Sequence, residues 1–425
     1  MAEKSRISAY LGTWFGPLRA DQRIWLLGIA IALAVVLSSF AILDYWGDVD
    51  HYWKNIQEWY ADGLVPYKDY VFEYPPLSML VFFIPRLVSW DLGSFHYAFT
   101  IFAALTYLLM AKAVMDLTDD IPRIRNIVRW MLLLMPFLAW QFIITRNDIF
   151  AAALVVFALI GYMKGHKTTA YILIGMAAMI KIYPLIFVFA FFVNEVYGRD
   201  LKSAIWCLFV SALTCIVIEL PFFIADPSTA FDYLSYHSDR PIQIESVAAT
   251  FMYIAQFLGL TSLEHVSSYG SDNLIGELPD MIDPYMNKVL LVAMAAVCLW
   301  ILIRVLRSEL DVNGRNRVLC LSCMALVTAF VVFSKVYSGQ YMIWIYTLMP
   351  LILWTVDERT DVEKLSRLYM VFAITSLIAA CCYSGEYWDT ARFIVPEAVK
   401  NLMSIVLLAV TLVMIRRETD VRRTH

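Results

Sequence analysis

The chain has 425 residues, of which 61% are hydrophobic and only 16% are charged. Soluble domains carry about 25% charged residues, so this composition excludes an ordinary soluble protein. The net charge of −4 gives no basic excess, and no nucleic-acid partner is expected.

Six apolar runs are nearly free of charge and long enough to cross a bilayer core of about 30 Å as helices. Only helices satisfy their own backbone hydrogen bonds in lipid. The predicted fold is therefore an all-α, polytopic transmembrane helical bundle of about 11–13 spans, with residues 1–425 forming a single integral membrane domain. The six runs are 24–43, 98–115, 203–224, 286–303, 318–333 and 398–415.

The charged residues predict the orientation of the bundle. Lys and Arg gather in short segments, which the positive-inside tendency places in the cytoplasm. Two acidic segments, a first outer loop at 44–75 and a large outer loop at 225–285, are expected outside, with both termini inside. The basic segments are the N-terminus, 121–129, 164–167, 199–202, 304–317, 357–367 and the C-terminal tail.

Residues 76–91 and 96–116 must return the chain from the first outer loop to the cytoplasm before Arg123, which two full spans cannot do, so two alternatives remain. Either residues 76–91 form a re-entrant segment, or residues 169–197 form one long span instead of a hairpin broken at Lys181–Pro184. We favour the re-entrant segment because it keeps every basic loop inside.

The seven cysteines, which include Cys320 and Cys323, all lie in apolar runs and are expected to be buried apolar side chains rather than disulfides or metal ligands.

The first outer loop begins with Asp48 and Asp50, directly after the first span. Carboxylates at the mouth of a transmembrane bundle are either well solvated or functional. Residues 50–61 are rich in Trp, Tyr and His, which predicts an amphipathic helix at the membrane interface. Residues 247–259 predict a second interfacial helix in the large outer loop.

Several motifs, in this order, resemble those of family-87 glycosyltransferases, which are polytopic GT-C-type enzymes. The first outer loop holds the most specific part of this resemblance, which is Asp48-x-x-x-Tyr52, then Gly63-x-x-Pro66-Tyr67-x-Asp69, then Glu73-Tyr74-Pro75-Pro76-Leu77. Later segments that fit are Arg146-Asn147-Asp148, Lys181-Ile182-Tyr183-Pro184, Tyr236-His237-x-x-Arg240-x-x-Gln243-x-Glu245, and Ser338-Gly339-Gln340-Tyr341-x-x-Trp344.

The resemblance implies a polyprenyl-phosphate-mannose-dependent transferase. Such an enzyme moves a hexose, here expected to be mannose, from a polyprenyl-phosphate carrier to an acceptor hydroxyl on the extracytoplasmic face of the cytoplasmic membrane, with inversion. An alcohol needs a general base to become a good nucleophile. The resemblance places this base at Asp48, and Asp50 is the alternative acid.

The departing lipid phosphate needs cationic partners. Candidates are Arg240, Lys181, His237 and Lys335. Two structural alternatives to phosphate binding stay open. Lys181 could extend its ammonium to the membrane interface as a snorkelling side chain, and Arg240 could form a salt bridge to Asp239 or Glu245.

Further residues are expected to line the substrate cavity. Arg146 and Asp148 could instead pair with each other and close a helix end. The candidates for the cavity are Tyr52, Glu73, Tyr74, Arg146, Asp148, Gln243, Glu245, Gln340 and Tyr341.

No cofactor is expected beyond the donor substrate itself. The Asp48-x-Asp50 spacing resembles the pair that binds a divalent metal with nucleotide sugars, but hard cations want several oxygen ligands, and a metal is not favoured. The expected partners are membrane lipids, the polyprenyl-phosphate-linked donor and a lipid- or glycan-linked acceptor. The protein is expected to be a monomer.

Two other functional classes share this composition. A lipid or solute transporter or flippase places charges at mid-membrane and often has two related halves, whereas these charges gather near span ends and no internal repeat is visible. A polysaccharide polymerase or ligase of the outer face also has about a dozen spans and a large outer loop, without the motifs of this first loop.

Overall fold

The fold was analysed in a computed structural model, which describes residues 12–43, 46–383 and 388–420. Seven helices in these ranges are long and apolar enough to cross a membrane, and each of the six predicted runs falls in one of them. The predicted all-α polytopic bundle is confirmed. The long helices are α1 (Ala20–Leu43), α4 (Leu92–Thr118), α10 (Leu201–Ala225), α13 (Glu277–Leu306), α14 (Val312–Phe333), α17 (Arg359–Cys381) and α18 (Ala391–Asp420).

Shorter helices fill the spaces between the long ones. At about 1.5 Å rise per residue, none of them reaches the roughly 30 Å of a hydrocarbon core, and for this reason the long helices are fewer than the predicted spans. They are α2 (Asp48–Tyr60), α3 (Leu77–Arg86), α5 (Pro122–Leu138), α6 (Phe142–Thr145), α7 (Asp148–Met163), α8 (Lys167–Ala178), α9 (Leu185–Tyr197), α11 (Asp232–Ser238), α12 (Val247–Phe257), α15 (Met342–Tyr346) and α16 (Met349–Trp354).

The segment predicted to be re-entrant contains α3, a helix of ten residues. Its length of about 15 Å cannot cross the membrane, so α4 alone carries the chain to the opposite end of the bundle. The start of α3 is fixed to the break between α8 and α9, because the Leu77 amide donates to the Met179 carbonyl at 2.8 Å and the Ser78 hydroxyl donates to the Ile180 carbonyl at 2.8 Å.

Helices α8 and α9 form the hairpin that the Lys181–Pro184 break indicated. Lys167 at the start of α8 and Glu195 near the end of α9 lie 2.8 Å apart, so both arms end at the same level. The hydroxyls of Tyr162 and Tyr171 also donate to the buried Glu195 carboxylate, at 2.7 and 2.8 Å. The alternative of one long span over 169–197 is therefore wrong.

The polar residues of the bundle divide between its two ends. At one end, Arg19 pairs with Asp120, and Arg317 pairs with both Asp357 and Glu418. Arg123 also pairs with Asp357, so the predicted basic segments 121–129, 304–317 and 357–367 share one end with residues 19 and 418. The N-terminal residues 1–11 and the tail residues 421–425 lie outside the described ranges.

The opposite end is built from the two acidic segments. Helix α2 is amphipathic and buries Val49, Tyr52, Asn55 and Ile56, as expected of an interfacial helix. In the second segment, α11 and α12 are followed by an antiparallel hairpin of β1 (Glu264–Ser268) and β2 (Ser271–Ile275).

That hairpin was absent from the sequence prediction. Tyr269 and Gly270 form its two-residue turn, and both have positive φ, 53° and 65°. Two consecutive left-handed residues match the twist of paired strands, so the turn fixes the register in which Ser268 faces Ser271.

The seven cysteines are free, as predicted. Three of them, Cys207, Cys320 and Cys323, are buried. The expectation of burial is wrong for Cys381, the last residue of α17, which is exposed.

Candidate active site

Asp48 and Asp50 begin α2 but point to different partners. Asp48 forms an ion pair with Arg146, which directly follows α6. Asp50 lies 2.5 Å from His96 near the start of α4. Residues two apart on a helix do not face each other, so the two carboxylates are not arranged as a pair at one site.

Asp148 is completely buried at the start of α7. Its carboxylate accepts a hydrogen bond from the Trp344 indole at 2.7 Å and lies 3.4 Å from the Lys181 ammonium. Lys181 is therefore an ion-pair partner in the interior, and the snorkelling interpretation is wrong. The Arg146–Asp148 pair considered above is also wrong, because these side chains pair with Asp48 and Lys181 respectively.

Tyr52 and Tyr74 are buried beside these ion pairs. The Asn147 amide donates to the Tyr52 hydroxyl at 3.3 Å, and the Tyr52 ring stacks on Phe82 with centroids 4.2 Å apart. The Lys181 ammonium lies over the Tyr74 ring, 5.1 Å from its centroid. These aromatic contacts hold α2, α3 and the start of α7 together around the polar residues.

Glu73 lies in the loop before α3, where its carboxylate is 3.6 Å from His51. Burial by itself raises the pKa of this carboxyl, but a hydrogen bond with Tyr74 and the electrostatic effect of His51 lower it. Tyr236 of α11 supplies a further hydrogen bond. The net pKa lies below the usual value, so Glu73 is an anion at neutral pH.

The short 3₁₀ turn Gly339–Tyr341 packs against Phe142 and Glu245. The Tyr341 ring stacks on Trp344 with centroids 3.9 Å apart, and Trp344 stacks on Tyr183 at 4.0 Å. Burial raises the pKa of Tyr341 to about 12, while the nearby charge of Arg240 lowers it. The negative charges of Asp148, Glu245 and Glu73 also raise the pKa of this hydroxyl. Tyr341 therefore lies close to these three predicted cavity residues.

Arg240 is buried to 8% exposure in the segment after α11. Its Nε atom is buried without a hydrogen-bond partner among the described residues, and they provide no ion pair for its guanidinium. The proposed pairing with Asp239 or Glu245 is thus absent from this part of the chain. A buried charge without a partner is costly unless a ligand supplies one.

The other predicted phosphate ligands differ from Arg240. The Lys335 ammonium is buried and lies 3.1 Å from the Asp283 carboxylate of α13, so its charge is already neutralised. The side chain of His237 lies outside the described residues, although its backbone belongs to α11.

Gln243 and Glu245 connect the site to α18. The Gln243 amide donates to Glu245 at 2.9 Å, and the Lys400 ammonium donates to the Glu245 carbonyl at 3.4 Å. Lys400 is also 2.5 Å from Glu397. Burial raises the pKa of Glu245 to about 8, against the lowering effect of Lys400.

Gln340 is half-buried in the 3₁₀ turn beside Gly339. A Cβ atom at Gly339 would lie 2.8 Å from the Phe142 ring and 3.5 Å from Glu245. Only glycine lets the turn approach α6 this closely, so Gly339 sets the position of Gln340 and Tyr341.

Sequence reasoning missed several members of this region. Trp344, His51 and Tyr236 lie within quoted motifs but were not given roles, and Asp283 was not considered. Lys400 and Glu397 had a usable signal, since ionisable residues in or beside an apolar run mark functional candidates.

The described residues contain no group of three or more His, Cys, Asp or Glu side chains placed to hold a metal ion. The acidic side chains here are instead matched with cations and tyrosines.

Comparison with known families identifies one match. Residues 72–270, a little under half of the chain, match the model of glycosyltransferase family 87, which confirms the predicted resemblance. No curated protein matches the chain. The matched range includes Glu73, Asp148, Lys181 and Arg240, whereas Asp48 lies before it.

Proposed function

We propose that this chain, a family-87-like membrane glycosyltransferase, transfers a hexose, in the first instance mannose, from a polyprenyl-phosphate carrier to an acceptor hydroxyl. The reaction would take place at the end of the bundle formed by residues 46–75 and 225–285, on the extracytoplasmic side of the cytoplasmic membrane. The gathering of the basic segments at the opposite end supports this orientation.

The observation that carries the proposal is the environment of Arg240. Around it, the buried cations have carboxylate partners: Lys181 has Asp148 and Lys335 has Asp283. Arg240 alone among these three has no ion pair within the described residues. A guanidinium binds phosphate oxygens through two parallel hydrogen bonds, so a lipid phosphate would supply the missing anion.

Asp48 is the proposed general base. Its side chain is 34% exposed, so an acceptor hydroxyl can reach it, and Arg146 holds it in place from the other side. Asp50 is directed to His96 and is less suited to this role.

In the proposed reaction, the acceptor oxygen attacks the anomeric carbon from the face opposite the phosphate. The bond between this carbon and the phosphate oxygen breaks as the new glycosidic bond forms. The acceptor proton passes to Asp48, and the polyprenyl phosphate leaves with its negative charge facing Arg240. One displacement of this kind inverts the anomeric configuration and requires no covalent sugar intermediate.

The test is a transfer assay with the wild type, Asp48→Asn and Asp50→Asn, each purified in detergent. Each protein is incubated with polyprenyl-phosphate-[14C]mannose and a lipid extract from the source membranes, and products are separated by thin-layer chromatography. Removing a general base costs about 10²–10⁴-fold in rate. We expect that loss for Asp48→Asn and near-wild-type transfer for Asp50→Asn.

The proposal is wrong if the wild type transfers no sugar from any polyprenyl-phosphate hexose. Movement of a lipid or solute across vesicles containing the same protein would then favour the transporter alternative. Equal losses in both variants would remove Asp48 from the role of base while leaving the transfer reaction itself in place.

A further inference from the structure

An open cleft of about 500 Å³ lies between the two acidic segments. One wall is formed by residues 67–72 of the first segment. The other is formed by Asp232, Ser235, Tyr236 and Asp239, which follow the spacing i, i+3, i+4 and i+7 and so share one helical face. Tyr269, at the tip of the β1–β2 hairpin, completes the lining.

The lining combines carboxylates with tyrosine rings. Asp69, Asp232 and Asp239 face a single cation, Lys68, which leaves an excess of negative charge. Asp69 uses one oxygen to accept from the Val65 amide at 2.8 Å, and Asp239 accepts from Ser238 at 3.1 Å. A carboxylate has about four acceptor positions, so these groups keep capacity for a ligand.

The inner end of the cleft lies at the candidate active site. Phe72 in its wall directly precedes Glu73, and Tyr236 shares a hydrogen bond with Glu73. A side chain at Gly270 would come within 3.8 Å of the Glu73 carboxylate and 3.7 Å of the Tyr236 hydroxyl. A ligand filling the cleft would therefore extend from open solvent to the Glu73 carboxylate.

We infer that this cleft binds the acceptor as an uncharged, hydroxyl-rich carbohydrate. Carboxylates accept hydrogen bonds from sugar hydroxyls, and tyrosine rings offer an apolar face with a polar edge, which suits the C–H face of a sugar ring. The volume falls within the range of about 300–1,000 Å³ typical of small-molecule sites. The acidic lining repels phosphate, sulfate and uronate groups, so the part of the acceptor that fills the cleft is uncharged.

This inference rests on the proposed function, and a binding measurement without donor separates the two. The protein is placed in phospholipid nanodiscs without any glycoside detergent, and saturation-transfer NMR is recorded with methyl α-D-mannopyranoside. The matched anionic probe is methyl α-D-mannopyranosiduronate. We expect the wild type to bind the neutral glycoside and to show no signal with the uronate.

The test variant is the double change Asp232→Asn and Asp239→Asn. Loss of a hydrogen bond to a charged group costs about tenfold or more in affinity, so the variant should bind the glycoside at least about tenfold more weakly. The matched control is Asp62→Asn, which removes an exposed carboxylate of the first segment outside the cleft. This control should bind like the wild type.

A second variant guards against a folding defect. Tyr269→Gly removes the ring and at the same time suits the positive φ of 53° at that position, where glycine is unstrained. It should also weaken glycoside binding. In the transfer assay both cleft variants should raise the acceptor KM and leave the donor KM unchanged.

Absence of glycoside binding by the wild type, or unchanged binding in both cleft variants, overturns the inference. Binding of the uronate as tightly as the neutral glycoside also overturns it. A wild type that binds the glycoside through these residues but transfers no sugar refutes the proposed function and leaves the cleft assignment standing.

Discussion

Replacing Arg240 with Gln tests the proposed phosphate contact, because it removes a buried charge that has no ion pair among the described residues. One charge-assisted hydrogen bond is worth about 1.5–3 kcal/mol, which corresponds to roughly 10- to 150-fold in kcat/KM. We expect a loss of this size when polyprenyl-phosphate mannose is the varied substrate. Arg240→Lys keeps the charge but not the planar fork, and should fall between the wild type and Arg240→Gln.

The structure predicts a different outcome for stability. No carboxylate loses its partner when Arg240 is removed, so the unfolding temperature of Arg240→Gln should stay equal to that of the wild type or rise. Lys335→Gln is the matched comparison, since it removes a buried cation at the same end of the bundle that lies 3.1 Å from Asp283. That variant should unfold at a lower temperature because it leaves a half-buried carboxylate unpaired.

The assay combines donor kinetics with thermal unfolding followed by tryptophan fluorescence. Polyprenyl phosphate without sugar should raise the unfolding temperature of the wild type, because a ligand that binds only the folded state stabilises it. The same addition should have little effect on Arg240→Gln. Wild-type donor kinetics in Arg240→Gln, together with an unchanged ligand-induced shift, would refute the assignment.

Two further predictions concern the buried ion pairs and the pH dependence. Lys181→Met should destabilise the protein by about 3–5 kcal/mol because it leaves Asp148 buried without its cation. The double variant Lys181→Met, Asp148→Asn should recover part of this loss. If unfolding measurements show that the losses of the two single variants simply add, Lys181 and Asp148 do not stabilise each other. Burial raises the folded-state pKa of Glu245 from 4.5 to about 8, so the folded state binds this proton more tightly and stability falls as pH rises between these values. The unfolding temperature of Glu245→Gln should therefore decrease less than that of the wild type from pH 5 to pH 8, and parallel curves would show that Glu245 is not the titrating group.

The sequence predicted the class of fold because the bilayer restricts the possibilities. Each of the six nearly charge-free runs became part of a long helix, and the Lys181–Pro184 break became the tip of a hairpin. The re-entrant segment was also inferred from charge distribution, and α3 has the short length that this interpretation requires. The β1–β2 hairpin escaped prediction because its strands are polar and lack the alternating apolar pattern of a half-buried sheet.

The sequence also nominated most of the polar residues of the candidate site. Asp48, Glu73, Asp148, Lys181 and Arg240 stood out because ionisable residues near span ends are costly unless they have a role. Their spacing along the chain could not reveal which carboxylate meets which cation. Local proximity suggested that Arg146 pairs with Asp148, which was wrong.

The pairing was decided by helices that are distant in sequence. Arg146 meets Asp48 because α2 lies beside the junction of α6 and α7, where the Asn147 amide donates to Tyr52 of α2. Lys181 reaches Asp148 because the tip of the α8–α9 hairpin lies level with the start of α7. Arg240 was a candidate from its isolation among acids, but only the folded chain shows that it is buried while those acids are directed elsewhere. Sequence thus determined that charges lie near the ends of apolar helices. Tertiary packing decided which of these charges remain without a partner, because ion pairing depends on distances between side chains that the chain order does not specify.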